Sequence, residues 1–213
     1  MRLLLLILTI LTAFTAASAQ SPTPSPQPFL LAVEDAFYIS GRGVVATGKI
    51  ERGTLKTGDT VEIVGSKPTK TATIAGIEMS RKVVSEAKAG DQVGVILRGT
   101  EKDDVERGQV LAKPGTVKTY TKIKATIDLF QSHEGGRSTP IFDKYRSLVY
   151  FRGAGSSGIV SFPAGVASIA PGQKGTAVEI VFEKPVPVEN GQAFTIRESS
   201  RTVGSGKVTA LIQ

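Results

Sequence analysis

The chain has no cysteine and only one histidine, His133, among its 213 residues. Without cysteine no disulfide can form in any compartment, so the fold must hold by packing alone, which points away from a stapled mini-domain. One imidazole with no Cys and no second His does not make a metal site. His133 stands in the Gly-rich segment His133-Glu134-Gly135-Gly136-Arg137, where a solvated loop position is expected. Gly155-Ser156-Ser157-Gly158 and Ser199-Ser200 have no other imidazole to serve as a base. The acidic pairs Glu34-Asp35 and Asp103-Asp104 carry nothing that separates them from turn and surface acids. No catalytic residue, metal ligand or cofactor is assigned, and no enzyme is expected.

Long hydrophobic runs are also missing. The longest, Leu3 to Phe14, is interrupted by Thr9 and Thr12, and at about a dozen residues it falls short of the roughly 20 that a spanning helix needs. Arg2 precedes it, and Ala17-Ser18-Ala19 follows with the small-x-small pattern of a cleavage site. Residues 1–19 are therefore expected to be a cleaved signal peptide, with export to a periplasm or the exterior and no transmembrane segment in the mature chain. No Cys follows the run, so a lipoprotein is excluded. Residues 20–28 alternate Pro with polar residues, the composition of an extended, solvated tether.

Helical periodicity is absent from the remainder. Val, Ile and Thr alternate with polar residues in Val44–Thr47, Thr60–Val64, Thr71–Ile74, Val93–Leu97, Thr121–Ile127 and Ala177–Phe182, with Gly or Asp at the turns between. Many short strands at this spacing read as all-β barrels or sandwiches. Lys113-Pro114-Gly115 is the expected joint, because Pro and Gly stop a ladder from continuing. It divides the chain into 29–113 and 114–213, each of a size that suits one closed β-domain. Lys and Arg number 26 against 19 Asp and Glu, a net charge of +7. That balance suits an anionic partner such as nucleic acid or a cell surface.

Gly43-Val44-Val45-Ala46-Thr47-Gly48-Lys49 has the spacing of a phosphate-binding loop. Ile50 follows where a Mg²⁺-holding hydroxyl is needed, and the intervening residues are strand formers with no helix after them. The match is expected to be a coincidence within a hairpin.

Whole phrases carry more information. Glu34-Asp35-Ala36-Phe37-Tyr38-Ile39-Ser40-Gly41-Arg42-Gly43-Val44-Val45 is followed by Glu51-Arg52-Gly53, Gly76-Ile77-Glu78-Met79, Ala89-Gly90-Asp91-Gln92-Val93-Gly94 and Glu106 to Gly115. Then come Glu134-Gly135-Gly136-Arg137, Tyr150-Phe151-Arg152, Ile196-Arg197-Glu198 and Arg201-Thr202-Val203-Gly204. In this order, from about Pro28 to Gln213, they resemble the second and third domains of bacterial elongation factor Tu. The resemblance implies two antiparallel six-stranded β-barrels in tandem. It does not extend to that family's GTPase domain, so GTP is not an expected ligand.

The resemblance also implies a pocket for the aminoacylated 3′ end of tRNA. It places Glu34, Asp35, Phe37 and Thr47 around the aminoacyl group, and Ile39, Gly41, Val45 and Ile96 around the terminal adenine. Glu78 is set against the ribose and base, and Arg81 on the phosphate. Gln92 stands where the family usually has Asn, and Ser80 where Phe is common. In the second barrel Arg137 is the implied contact to the tRNA stem. Ser138 replaces a His there, Ser147-Leu148 a Pro-Gln, Ala193 an Arg, and Ser199-Ser200 a Gly-Gly pair. Two functions follow as expectations: an exported, non-catalytic binding module with an unidentified ligand, or a translation-related protein that binds aminoacyl-tRNA.

Overall fold

Residues 27–212 are described by the computed structural model; residues 1–19, expected to be a signal peptide, and most of the Pro-rich segment 20–28 lie outside them. The alternating segments form strands that close into two barrels. In the first, β1 (Leu30–Ile39), β2 (Gly43–Arg52), β3 (Thr60–Val64), β4 (Lys70–Met79), β5 (Gln92–Arg98) and β6 (Val110–Ala112) run in the order β3-β6-β1-β2-β5-β4, and β4 pairs back to β3. In the second, β7 (Thr119–Leu129), β8 (Tyr145–Phe151), β9 (Ala154–Ser161), β10 (Thr176–Pro187), β11 (Ala193–Glu198) and β12 (Arg201–Ile212) close in the order β7-β10-β9-β8-β11-β12. Neighbouring strands pair antiparallel throughout. The expected all-β fold of two six-stranded barrels is what the protein has.

Each interior is built from one face of its strands. Leu31, Val33, Val44, Ala46, Val95 and Leu97 belong to the first core, and Ile123, Ile127, Val149, Ile180, Phe194 and Ile196 to the second. Phe151 lies between Phe182 and Phe194, with ring centroids 5.8 and 5.4 Å away. Each buried aliphatic or aromatic side chain of this kind contributes about 1.5–3 kcal/mol of transfer free energy.

Three register shifts interrupt the first barrel, at Leu30/Leu31, Val33/Asp35 and Ile74/Gly76, and the last two are bulges that decide which residues of one face turn outward. Between Val33 and Asp35 the β1–β2 register slips, leaving Glu34 as an extra residue. Val33 is in the core, but after the slip it is Ala36 that packs against the core, while Asp35 and Phe37 are exposed. Between Ile74 and Gly76 the β4–β5 register slips in the same way over the exposed Ala75. Ile74 and Ile77 both remain inside, so Gly76 and Glu78 are turned to the outer face. An extra residue in one strand re-aims every side chain beyond it.

Residues 113–118 link the barrels. Leu30, Val64, Val110 and Ala112 of the first barrel form a separate buried cluster with Val117 of this link. The barrels also meet through side chains. Arg52 donates to both carboxylate oxygens of Glu189 at 2.8 and 2.7 Å. Arg152, with its side chain 8% exposed, donates to Glu51 at 2.9 Å and to Glu189 at 2.8 Å.

Candidate functional site

The two bulges lie on different rows of the β1-β2-β5-β4 sheet, on its outer strands β1 and β4, and the residues they re-aim form one outer surface. Register places Phe37 opposite Val45, Val45 opposite Ile96, and Ile96 opposite Gly76. One row along, Asp35, Thr47, Gly94 and Glu78 face one another in turn. The first row is apolar, with exposed Phe37 at its edge and Val45 buried between its neighbours although it points away from the core. Glycine keeps the floor low. A Cβ at Gly76 would sit 3.3 Å from Ile96 Cδ1, and one at Gly94 would sit 3.6 Å from Val45 Cγ1. The surface therefore offers a flat apolar strip beside a strip of hydroxyl and carboxylate groups.

Polar side chains span this face at two places. Gln92 on β5 donates from Nε2 to Glu34 Oε2 at 2.7 Å, reaching past β2. Arg42, in the β1–β2 turn, forms an ion pair with Glu78 on β4. Thr47 donates from Oγ1 to the backbone oxygen of Asp35 at 3.3 Å, and Asp35 Oδ1 accepts from the Ala36 amide at 2.9 Å. Ile39 lies at the end of β1, half-buried and opposite Gly43. Gly41 takes φ +77° in the turn beyond it. Arg81 is exposed at the tip of the two-residue turn between Met79 and Lys82, where Ser80 and Arg81 both have positive φ. Such a pair of left-handed residues is the geometry of a tight hairpin turn.

Glu34, Asp35, Phe37, Ile39, Thr47, Val45, Glu78, Gln92 and Ile96 are thus brought onto one sheet face or its margin, with Gly41 and Arg81 in the turns at its ends. Sequence reasoning did not assign Arg42. Its signal was its place between Gly41 and Gly43, which bends the turn so that the guanidinium reaches Glu78.

Residues 43–112 match the family model for elongation factor Tu domain 2, and residues 116–212 match the model for the elongation factor Tu C-terminal domain. The two barrels belong to these two families. The matched span of the domain 2 barrel begins at β2, so Glu34 to Gly41 stand on the strand and turn just before it.

In the elongation factor Tu C-terminal barrel, Arg137 is held by the protein itself. Its guanidinium pairs with Glu198, donates to Thr139 O at 3.1 Å and to Thr139 Oγ1 at 3.0 Å, and lies 5.7 Å from the Tyr145 ring centroid. Tyr145 donates its hydroxyl to the same Glu198, which Arg201 also approaches at 3.4 Å. Burial, reinforced by the Glu198 carboxylate, pushes the Tyr145 hydroxyl up to about 12. Burial opposes the charge on Glu198, but the Tyr145 hydroxyl and the Arg137 guanidinium outweigh it and lower its pKa. Arg137 is a buttress of this cluster, with only part of its side chain open to a ligand.

His133 lies exposed in a single 3-10 turn, Ser132–Glu134. Gly43–Lys49 runs within β2, and the next element is the short strand Thr54–Lys56, so no helix N-terminus exists there to cradle phosphate. Among the described residues no group of three or more His, Asp or Glu side chains is arranged to hold a metal ion.

Proposed function

We propose that this protein is an exported binding module that holds its ligand on the outer β1-β2-β5-β4 face of the first barrel without transforming it. The observation that carries this reading is the double bulge. It turns Asp35 and Phe37 on one side, and Gly76 and Glu78 on the other, toward a common surface that the core does not need. Bulges also add the twist that closes a barrel; what carries the reading is that these two leave their re-aimed residues in neighbouring rows of one outer face. Export is supported by Arg2, the apolar run from Leu3 to Phe14 and the Ala17-Ser18-Ala19 site. The matches are to barrel families, in keeping with binding in place of hydrolysis. Cell fractionation tests the compartment: the processed protein is expected outside the cytosol, and a wholly cytosolic protein with an intact N-terminus overturns export.

A second reading has its own support. The flat Phe37–Val45–Ile96 strip beside Glu78, with Arg81 at the margin, suits a stacked base, a ribose hydroxyl and a phosphate. On this reading the ligand is the 3′ end of an aminoacyl-tRNA, and the protein works where charged tRNA is found. Arg137 then adds at most a minor stem contact, since Glu198 and Thr139 occupy most of its donors. Titration with aminoacyl-tRNA at fixed low salt distinguishes the two. Saturable binding that Arg81→Ala weakens supports the RNA-end reading. No binding up to about 100 µM, the weak end of non-specific nucleic-acid affinity, removes it.

A further inference from the structure

Arg107 and Lys184 belong to different barrels yet line one cleft of about 220 Å³. The first barrel supplies its wall from Ser66 and the loop before β6, and the second from β9 and β10. Gly108 fixes how closely the walls approach. It has φ +95°, and a Cβ there would stand 2.5 Å from the Ala154 Cβ across the joint.

The other charges at this cleft are matched within the protein. Glu106 accepts from Ser66 Oγ at 3.0 Å and lies 3.2 Å from Lys67 Nζ. Arg152 is engaged by Glu51 and Glu189. Arg107 and Lys184 are different: both are exposed, and neither makes an ion pair or side-chain hydrogen bond among the described residues. Two cations, one from each barrel, are held at one concave seam without a counter-ion. A cleft walled by low-dielectric protein concentrates the potential of such charges. Ser156 lines the same space and brings a hydroxyl.

We propose that this inter-barrel cleft is an anion site that takes one tetrahedral oxyanion, a phosphate or sulfate group, bridged between Arg107 and Lys184. A guanidinium offers paired donors to such a group and an ammonium adds a point charge. Size limits what enters. The cleft is smaller than the roughly 300–1,000 Å³ of ordinary small-molecule pockets, so it admits the charged group and leaves any attached body outside. Because the two cations sit on separate barrels, the bound anion fastens the joint. This site shares no residue with the outer face of the first barrel.

Calorimetric titration of the purified protein with sodium phosphate, with sodium chloride at matched ionic strength as the control, tests the proposal. Saturable heat and a rising Tm are expected with phosphate and not with chloride. Arg107→Gln and Lys184→Gln, both at exposed positions without partners, are each expected to weaken binding by about tenfold, the worth of one charge-assisted contact. The double variant is expected to abolish it, with unfolding in chloride unchanged from the parent. Adenosine monophosphate serves as a second titrant. Affinity equal to phosphate assigns the site to a phosphate carried on a larger molecule, and binding of inorganic phosphate alone assigns it to the free oxyanion. An equal response to chloride, or phosphate affinity that survives in the double variant, overturns the proposal. Arg81→Ala leaves this site intact, so its failure and that of the first-barrel reading are told apart.

Discussion

Ser199 has φ +51° at the turn between β11 and β12, in the left-handed region that favours glycine. An L-residue with a Cβ pays roughly 1–2 kcal/mol there, and part of that returns on replacement by glycine, whose unfolded chain is more flexible. Ser199→Gly is therefore expected to stabilise the protein by about 0.5 kcal/mol, read as a raised urea midpoint. A lowered midpoint would mean that the serine hydroxyl does more than the backbone loses. Gly48 shows the opposite need. Its φ is ordinary, but a Cβ would lie 1.9 Å from the Ala32 backbone oxygen, where β1 presses on β2 beside the Glu34 bulge. Gly48→Ala is expected to cost about 3 kcal/mol in the same assay, at the upper end for overpacking. A cost below about 1 kcal/mol would show that β1 can move aside. The glycine that gives Gly43–Lys49 its phosphate-loop spacing is thus kept by a close approach of two strands and not by a nucleotide.

At the scale of the element, alternation in the sequence finds strands but not the pairing between them. Val44–Thr47, Thr60–Val64, Thr71–Ile74, Val93–Leu97, Thr121–Ile127 and Ala177–Phe182 all lie in strands, and their inward sets follow from period two. Glu34 and Ala75 carry no mark of a bulge in their own segments, because a bulge is defined by the partner strand's register. The resemblance to a known family supplied the candidate residues, yet neither it nor the alternation explained why Asp35 and Phe37 face out when Leu31 and Val33 face in. The Arg42–Glu78 pair, separated by 36 residues, was hidden for the same reason. The bulge makes its own prediction. Ile74 pairs with Leu97 and Gly76 with the adjacent Ile96, so deleting the exposed Ala75 leaves a continuous ladder in which Ile77 still faces in and Glu78 still faces out, and it is expected to cost only about 1 kcal/mol. Ala75→Thr, which keeps the extra residue, is expected to stay within about 0.5 kcal/mol of the parent, as surface substitutions usually do. A loss of about 3 kcal/mol or more on deletion, with Ala75→Thr neutral, would show that the barrel needs the extra residue itself and the twist it adds to the strand.

Across the whole molecule, the two barrels share one ionic knot. Glu189 accepts from Arg52 and Arg152, Glu51 accepts from Arg152, and Arg152 also donates to Pro187 O at 3.1 Å and Gln192 Oε1 at 3.0 Å. Burial disfavours the Glu189 charge, but its hydrogen bonds and attraction to Arg52 and then Arg152 prevail and lower its pKa. The Glu189 carboxylate in turn raises the Arg52 pKa. A carboxylate whose folded pKa is depressed stabilises the native state fully above its ordinary value of 4.5, and that contribution is lost as pH falls through the lower, folded value. Acid should therefore loosen the joint while the apolar contact of Leu30, Val64, Val110 and Ala112 with Val117 persists. Glu198 is also depressed, but its partners Tyr145, Arg137 and Arg201 all lie in the second barrel, so its protonation weakens that barrel and not the joint. The two effects separate if the readout is cooperativity between barrels. Thermal unfolding is expected to be one transition at neutral pH and to split into two below pH 4.5. Arg152→Ala is expected to split it at neutral pH, with a loss of about 1.5–3 kcal/mol as the buried guanidinium's bonds to the part-exposed Glu51 and Glu189 disappear. Glu189→Gln should show the split at neutral pH and little further change in joint cooperativity on acidification, since the group that titrates is gone. If Glu189→Gln keeps a single transition that still splits in acid like the parent, another carboxylate controls the joint.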